Sequence, residues 1–465
     1  MTLDPVVVAH ADFAAVSDFF VVGSRIVTPD GEGPRAVGIR GGKIVSVGPR
    51  ESVPAGAPVI DAGDRVVLPG LVDTHVHIND PGREAWEGFD TATRAAARGG
   101  VTTLVDMPLN SIPSTVSLEA LSAKVRAMEG RAFVDVGLCG GVVPGNAGAL
   151  GELFREGVLA FKCFLAESGV NEFSHVNEAE LRLAMEILAG VGAPLLVHAE
   201  LPGPLSAAEG ALKGDPRAYA TYLASRPRTA EDAAVDLVMR LSRDTRARAH
   251  IVHLSSADAL DTVRAAHESG VNLSVETCPH YLTFAAEDIP EGATEYKCAP
   301  PIRERENQDR LWDALREGLL DQIVTDHSPS TVELKCSGSG DFMKAWGGIS
   351  SLQIGLAAVW TEGRPRGLGP SHLARLMSEA PARLAGLSDR KGAIAVGRDA
   401  DLAFFDPEGT FSVSAASLEH RNKITPYEGR SLQGRVVRTM LRGETIFEDG
   451  PGLAARPRGA WIRRT

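Results

Sequence analysis

Between residues 70 and 326 of this 465-residue chain, eight apolar runs of strand length recur: Gly70–His77, Val101–Met107, Ala132–Leu138, Val158–Phe164, Pro194–Ala199, Ala249–Leu254, Val271–Thr277 and Gln322–Asp326. The intervals, such as Arg83–Arg98 and Glu178–Leu188, carry helix-forming residues with apolar positions three and four apart. Near-continuous apolar runs belong to strands buried on both faces, and parallel neighbours need a crossover between them. Eight such units predict an α/β fold of the (β/α)8, TIM-like barrel type. The stretch from Glu200 to Arg248 is long for one crossover and predicts several helices.

Outside the repeat, Phe19–Ile26 and Val37–Val47, the latter with a Gly41-Gly42 turn, read as short antiparallel strands. Asp399–Asp406 and Val436–Phe447, turning at Arg442-Gly443, have the same character. Neither set alone can bury a two-sided core, so they predict one small composite β-sandwich domain drawn from both termini. The resulting division is an N-terminal extension over 1–16, a small β domain over 17–68 plus 388–465, and a barrel over 69–387.

Charge narrows the partners. Forty-eight basic against 60 acidic side chains leave −12, a field that repels nucleic acid and anionic membrane surfaces and leaves a small molecule as the expected partner. No run reaches the roughly 18–20 apolar residues of a membrane span. The first cation is Arg25, too late for a secretory signal, so the cytoplasm is expected. The five cysteines (Cys139, Cys163, Cys278, Cys298, Cys336) contain no CxxC pair and read as reduced thiols.

Chemistry in such a barrel sits where strands end. The first run closes on His75-Val76-His77, the fourth holds Lys162, the fifth ends at His198, the sixth has His253, and the eighth ends at Asp326. Strand alternation turns His75 and His77 to one face, where both can bind one ion. Imidazoles with a carboxylate suit zinc first, with manganese, cobalt or iron as alternatives. His10, His175, His267, His372 and His420 read as core or loop histidines.

Lys162 stands in an apolar segment, Leu159–Phe164, where a lone ammonium is costly and desolvation favours the free amine. A free amine can capture carbon dioxide as a carbamate, a bidentate anion able to bridge two cations. With His75 and His77 on one ion and His198 and His253 on the other, carboxylated Lys162 would complete a two-metal site, the ions about 3.5–4 Å apart, that activates water at neutral pH. Weaker patterns remain. Ser337-Gly338-Ser339-Gly340 lacks the lysine of a phosphate loop and reads as an active-site loop. His280 and Cys298 are pocket-lining or packing residues, and Asn272-Leu273-Ser274 lies within an expected strand, so its match to a glycosylation site is chance.

These segments, with DMPLNSIPST (106–115), ETCPHYLTF (276–284), KCAPPIRE (297–304), TDHSP (325–329) and NKITPYEGRSLQGRV (422–436), make the chain similar to the amidohydrolase superfamily over nearly its whole length. It most resembles the cyclic amidohydrolases and, among them, the allantoinase branch. The resemblance implies two divalent ions on His75, His77, carboxylated Lys162, His198, His253 and Asp326, with Asp326 also the proton-shuttling base. It implies hydrolysis of allantoin to allantoate by a homotetramer.

Dihydroorotases carry an arginine two residues after HxH, where this chain has Asn79. Hydantoinases share a tyrosine and an asparagine where Glu167 and Gly347 stand here, and they form the alternative reading. Asn79 and Asn110 suit a neutral ureido group, and Cys298 and Ser330 complete the expected substrate contacts. Asp80 and Ser330 depart from the glutamate and cysteine common in allantoinases.

Overall fold

A computed structural model describes residues 18–464, so the expected extension over 1–16, and His10 within it, lie outside the described residues. The eight apolar runs form eight parallel strands: β1 (Leu71–Val76), β2 (Val101–Asp106), β3 (Asp135–Gly141), β4 (Ala160–Phe164), β5 (Pro194–His198), β6 (Arg248–Ile251), β7 (Leu273–Thr277) and β8 (Gln322–Ile323). Each pairs with its sequence neighbour. A parallel bridge from Val76 to His327 joins β1 to the residues after β8, with the His77 amide donating to the His327 carbonyl at 2.8 Å. The predicted barrel is therefore observed, and its helices fill the intervals. The helix Glu178–Val191 opens on a reciprocal capping box between Asn177 and Glu180 and stops at Gly192. The long interval after β5 holds three helices, Pro202–Ala211, Tyr219–Ser225 and Arg228–Thr245.

The strands from both termini join in one continuously hydrogen-bonded nine-stranded sheet rather than in two separately bonded ones. Phe19–Thr28 pairs in parallel with Val66–Pro69, which in turn pairs antiparallel with Leu402–Ser412. The last residues leave that sheet: the Gly459 and Ile462 amides donate to the Ala132 and Val136 carbonyls of the barrel.

The sheet and the amino-terminal end of β3 meet around Lys391, whose Nζ lies 2.8 Å from Asp135, 3.0 Å from Asp399 and 2.6 Å from Asp401. Burial opposes its charge, but the three carboxylates outweigh burial and raise Lys391 above its ordinary value. Lys391 occupies the centre of this acidic group, so the cluster reads as a structural ion network at the end of the barrel opposite the strand termini that matter next. Among the described residues, no helix is long and apolar enough to cross a membrane.

Candidate active site

At the carboxyl ends of the strands lies a cavity of about 380 Å³ lined by His75, His77, Lys162, His198, His253 and Asp326. The six residues, spread over 252 positions of sequence, thus share one chamber. His75 Nε2 and His77 Nε2 stand 3.3 and 3.4 Å from the same oxygen of Asp326. Across from them, His198 Nδ1 lies 3.0 Å from His253 Nε2. One donor atom each from His75, His253 and Asp326 falls within 4.8 Å of the others.

Backbone geometry produces part of this convergence. Strands β6 and β8 stop at Ile251 and Ile323, and the chain then passes through the left-handed region at His253 (φ 40°) and Asp326 (φ 44°). That conformation costs a non-glycine residue roughly 1–2 kcal/mol, and it persists where surrounding contacts over-determine it. Asn79 (φ 65°) and Asn110 (φ 68°) are left-handed as well, at lower cost because asparagine tolerates the region.

A surrounding layer orients the imidazoles. Glu276, buried in β7, places Oε1 2.5 Å from His75 Nδ1, and Glu200 places Oε2 2.7 Å from His198 Nε2. Arg226 clasps Glu200 with Nε 3.1 Å from Oε1 and a second contact from Nη2 to Oε2. Each carboxylate thereby selects which ring nitrogen stays free to face the cavity. Burial tends to raise Glu200, yet Arg226 and His198 prevail and hold it at about 2.

Burial also keeps His77 and His198 below, and His253 well below, their ordinary values, so they act as neutral nitrogen donors. For Asp326, burial works upward but the neighbouring His75 and the His77 hydrogen bond hold it well down, as a carboxylate. Lys162 Nζ is fully buried without a hydrogen-bond partner, 5.1 Å from the centre of the Phe164 ring, and desolvation pushes it down to about 8. Neutral imidazoles, a carboxylate and an orphaned lysine amine that gives up its proton more readily than usual are a donor set that fits divalent first-row ions.

The expected substrate contacts divide. Asn110 lines the cavity, its Nδ2 3.5 Å from His77 Nδ1. Asn79, Cys298 and Ser330 are buried and are not among its lining residues. Asn79 donates to the Pro329 carbonyl at 3.3 Å, the Cys298 carbonyl receives the Tyr222 hydroxyl at 2.6 Å, and Ser330 reaches the Thr331 carbonyl at 3.5 Å. His280 is fully buried outside the lining, and Asp80 is buried with Arg131 at 2.8 Å. Glu167 and Gly347 both line the cavity.

Glu276, Glu200, Arg226, Tyr222, Lys297 and Trp346 were not anticipated from sequence. Glu200 had a usable signal, since it stands two residues after His198 as His77 does after His75. Glu276 had a weaker one, a carboxylate within an expected barrel strand.

Comparison with known proteins agrees with this geometry. The Amidohydrolase family model matches residues 66–446. An allantoinase from Streptomyces avermitilis is 52% identical over 95% of this chain and 97% of its own, and an allantoinase from Arabidopsis thaliana is 45% identical over 93% and 88%. Among solved structures, the L-hydantoinase (dihydropyrimidinase) from Arthrobacter aurescens superposes with a TM-score of 0.91 at 32% identity, covering 97% of this chain and 100% of that one. A barrel with histidine, lysine and aspartate donors at its strand ends, matched along nearly its full length, makes this chain a member of the amidohydrolase family.

Proposed function

We propose that the chain hydrolyses the ring amide of allantoin to give allantoate. The observation that carries the reading is the convergence of His75, His77, Lys162, His198, His253 and Asp326 on one cavity in a chain 52% identical to an allantoinase. His75 and His77 would hold one divalent ion, zinc first, and His198 and His253 a second, with carboxylated Lys162 between them and Asp326 as a further ligand. Such ions supply Lewis-acid polarisation of the ring carbonyl and lower the pKa of water.

The chain's own part is positioning and proton transfer. A carboxylate oxygen of Asp326 takes the proton from the attacking water and returns it to the ring nitrogen as the C–N bond breaks. Phe164, Tyr222 and Trp346 line the cavity and restrict water, and the Asn110 amide meets the neutral ureido group. Asn79 and Ser330 act through the backbone carbonyls they donate to, and Cys298 through its own carbonyl, which the cavity-lining Tyr222 hydroxyl holds. Apart from Lys162, assigned here to the ions, the basic side chains in the lining are already engaged, Arg226 by Glu200 and Lys297 by two carbonyls, which disfavours an acidic substrate. The family resemblance supports a homotetramer.

The test is metal analysis with parallel turnover of allantoin, hydantoin, dihydrouracil and dihydroorotate at one metal loading. Allantoin is expected to lead dihydroorotate by at least about 10³ in kcat/KM, since each 1.4 kcal/mol of unmet desolvation is tenfold. Faster turnover of hydantoin or dihydrouracil than of allantoin would shift the assignment to the hydantoinases. Equal or better dihydroorotate turnover would overturn it.

A further inference from the structure

The loop after β8 contributes Met343, Ala345, Trp346, Gly347 and Gly348 to the cavity lining. From Thr331 to Gly348 this loop contains neither helix nor strand; turns such as Trp346 N–H to the Leu334 carbonyl pair part of its backbone, and carbonyls at Met343, Ala345 and Gly348 are met by side chains. Two lysines supply them. Lys297, in the loop after β7, donates from Nζ to the Ala345 carbonyl at 2.6 Å and to the Met343 carbonyl at 3.2 Å. Lys335, inside the β8 loop and only 3% exposed, donates from Nζ to the Lys297 carbonyl at 3.2 Å and to the Gly348 carbonyl.

The Gly348 amide completes the lacing by donating to the Lys297 carbonyl at 2.9 Å. Gly348 sits at φ 128°, and a Cβ there would meet the Ser328 carbonyl oxygen at 2.1 Å, so the segment is seated tightly. Neither lysine forms an ion pair among the described residues, although burying an ammonium without a counter-charge is expensive. Burial pushes Lys335 down to about 7 and Lys297 to about 8; Cys298, Lys297 and Glu295 face the first, and Arg226, Asp341 and Cys336 the second. An apolar side chain at 335 would avoid that cost but could not reach two carbonyls with directed donors.

We propose that Lys297 and Lys335 are positioning residues that clip the Met343–Gly348 segment into place as the specificity wall of the cavity, so that substrate recognition depends on them while the bond-breaking step does not. The proposal rests on the reading of this cavity as the allantoin site, but the clip itself can be measured without turnover.

The experiment uses the full-length, metal-loaded protein with Lys335→Met and, separately, Lys297→Met. Hydrogen exchange across Phe342–Ser350, metal content, and KM and kcat for allantoin are compared with wild type. Both variants are expected to exchange the Trp346–Ile349 amides at least about tenfold faster and to raise KM by about tenfold or more, with kcat within about threefold and metal content unchanged. Lys297→Arg, which keeps the donors, is expected to recover most of the KM. Unchanged exchange or unchanged KM would overturn the proposal, as would a fall in kcat with metal loss at constant KM. If Lys335→Met does not fold, the half-buried Lys297 carries the same comparison. If wild type does not turn over allantoin, the substrate reading fails and the exchange rates alone decide the clip.

Discussion

Glu276 Oε1 lies 2.5 Å from His75 Nδ1, and the other oxygen of the same carboxylate lies 2.9 Å from His250 Nε2 and 3.1 Å from Gln322 Nε2. One fully buried anion thus ties β1, β6, β7 and β8 together beneath the cavity. Burial opposes its charge, but His75 and His250 prevail and keep it ionised. The consequence for His75 is a fixed ring orientation with Nε2 turned toward Asp326.

Replacing Glu276 with Gln keeps the shape and removes the charge that accepts from His75. Metal affinity is expected to fall by about 10–100-fold, read by competition with a chelator, while far-UV circular dichroism stays native. Unaltered affinity would show that the carboxylate has no part in orienting His75.

Lys162→Ala removes the orphaned amine. The expected outcome is loss of bound metal together with activity, and partial recovery on adding short carboxylic acids that can take the place of a carbamate. A fully active Lys162→Ala protein would refute the modified-lysine reading.

Asp326→Asn keeps an oxygen at the strand end and removes proton transfer. kcat is expected to drop by about 10²–10⁴ with much of the metal retained. Normal kcat at normal metal content would remove Asp326 from the proton path.

His420 is 1% exposed with Nε2 unpartnered, and burial pushes it down to about 3. An unfolded histidine titrates near 6.5, so between pH 6.5 and 3 the unfolded chain binds the extra proton and stability falls as pH falls. The contribution has an upper bound of ~5 kcal/mol, present in full above the unfolded value and lost toward pH 3. In His420→Leu, urea midpoints should decline less steeply with acid than in wild type. Parallel slopes would show that His420 is not what the acid limb reports.

The barrel was legible because burial on both faces writes itself locally, as eight apolar runs, and any folded arrangement of those runs must satisfy the same parallel crossover rule. The six candidate ligands were legible for a related reason: in this architecture the end of a strand is a place in space as well as in sequence. Beyond that, tertiary structure decided. His75 and Glu276 are 201 positions apart, and only the curvature of the sheet brings them together. The left-handed turns at His253 and Asp326 have no residue signature, because the contacts that hold them come from other strands. Asn79 and Cys298 follow or precede cavity residues in sequence yet are buried outside the lining, since side-chain direction in a loop follows local dihedrals rather than a fixed period. The Met343–Gly348 part of the cavity lining is likewise held by lysines on two different loops, a pairing that exists only once both loops are in place.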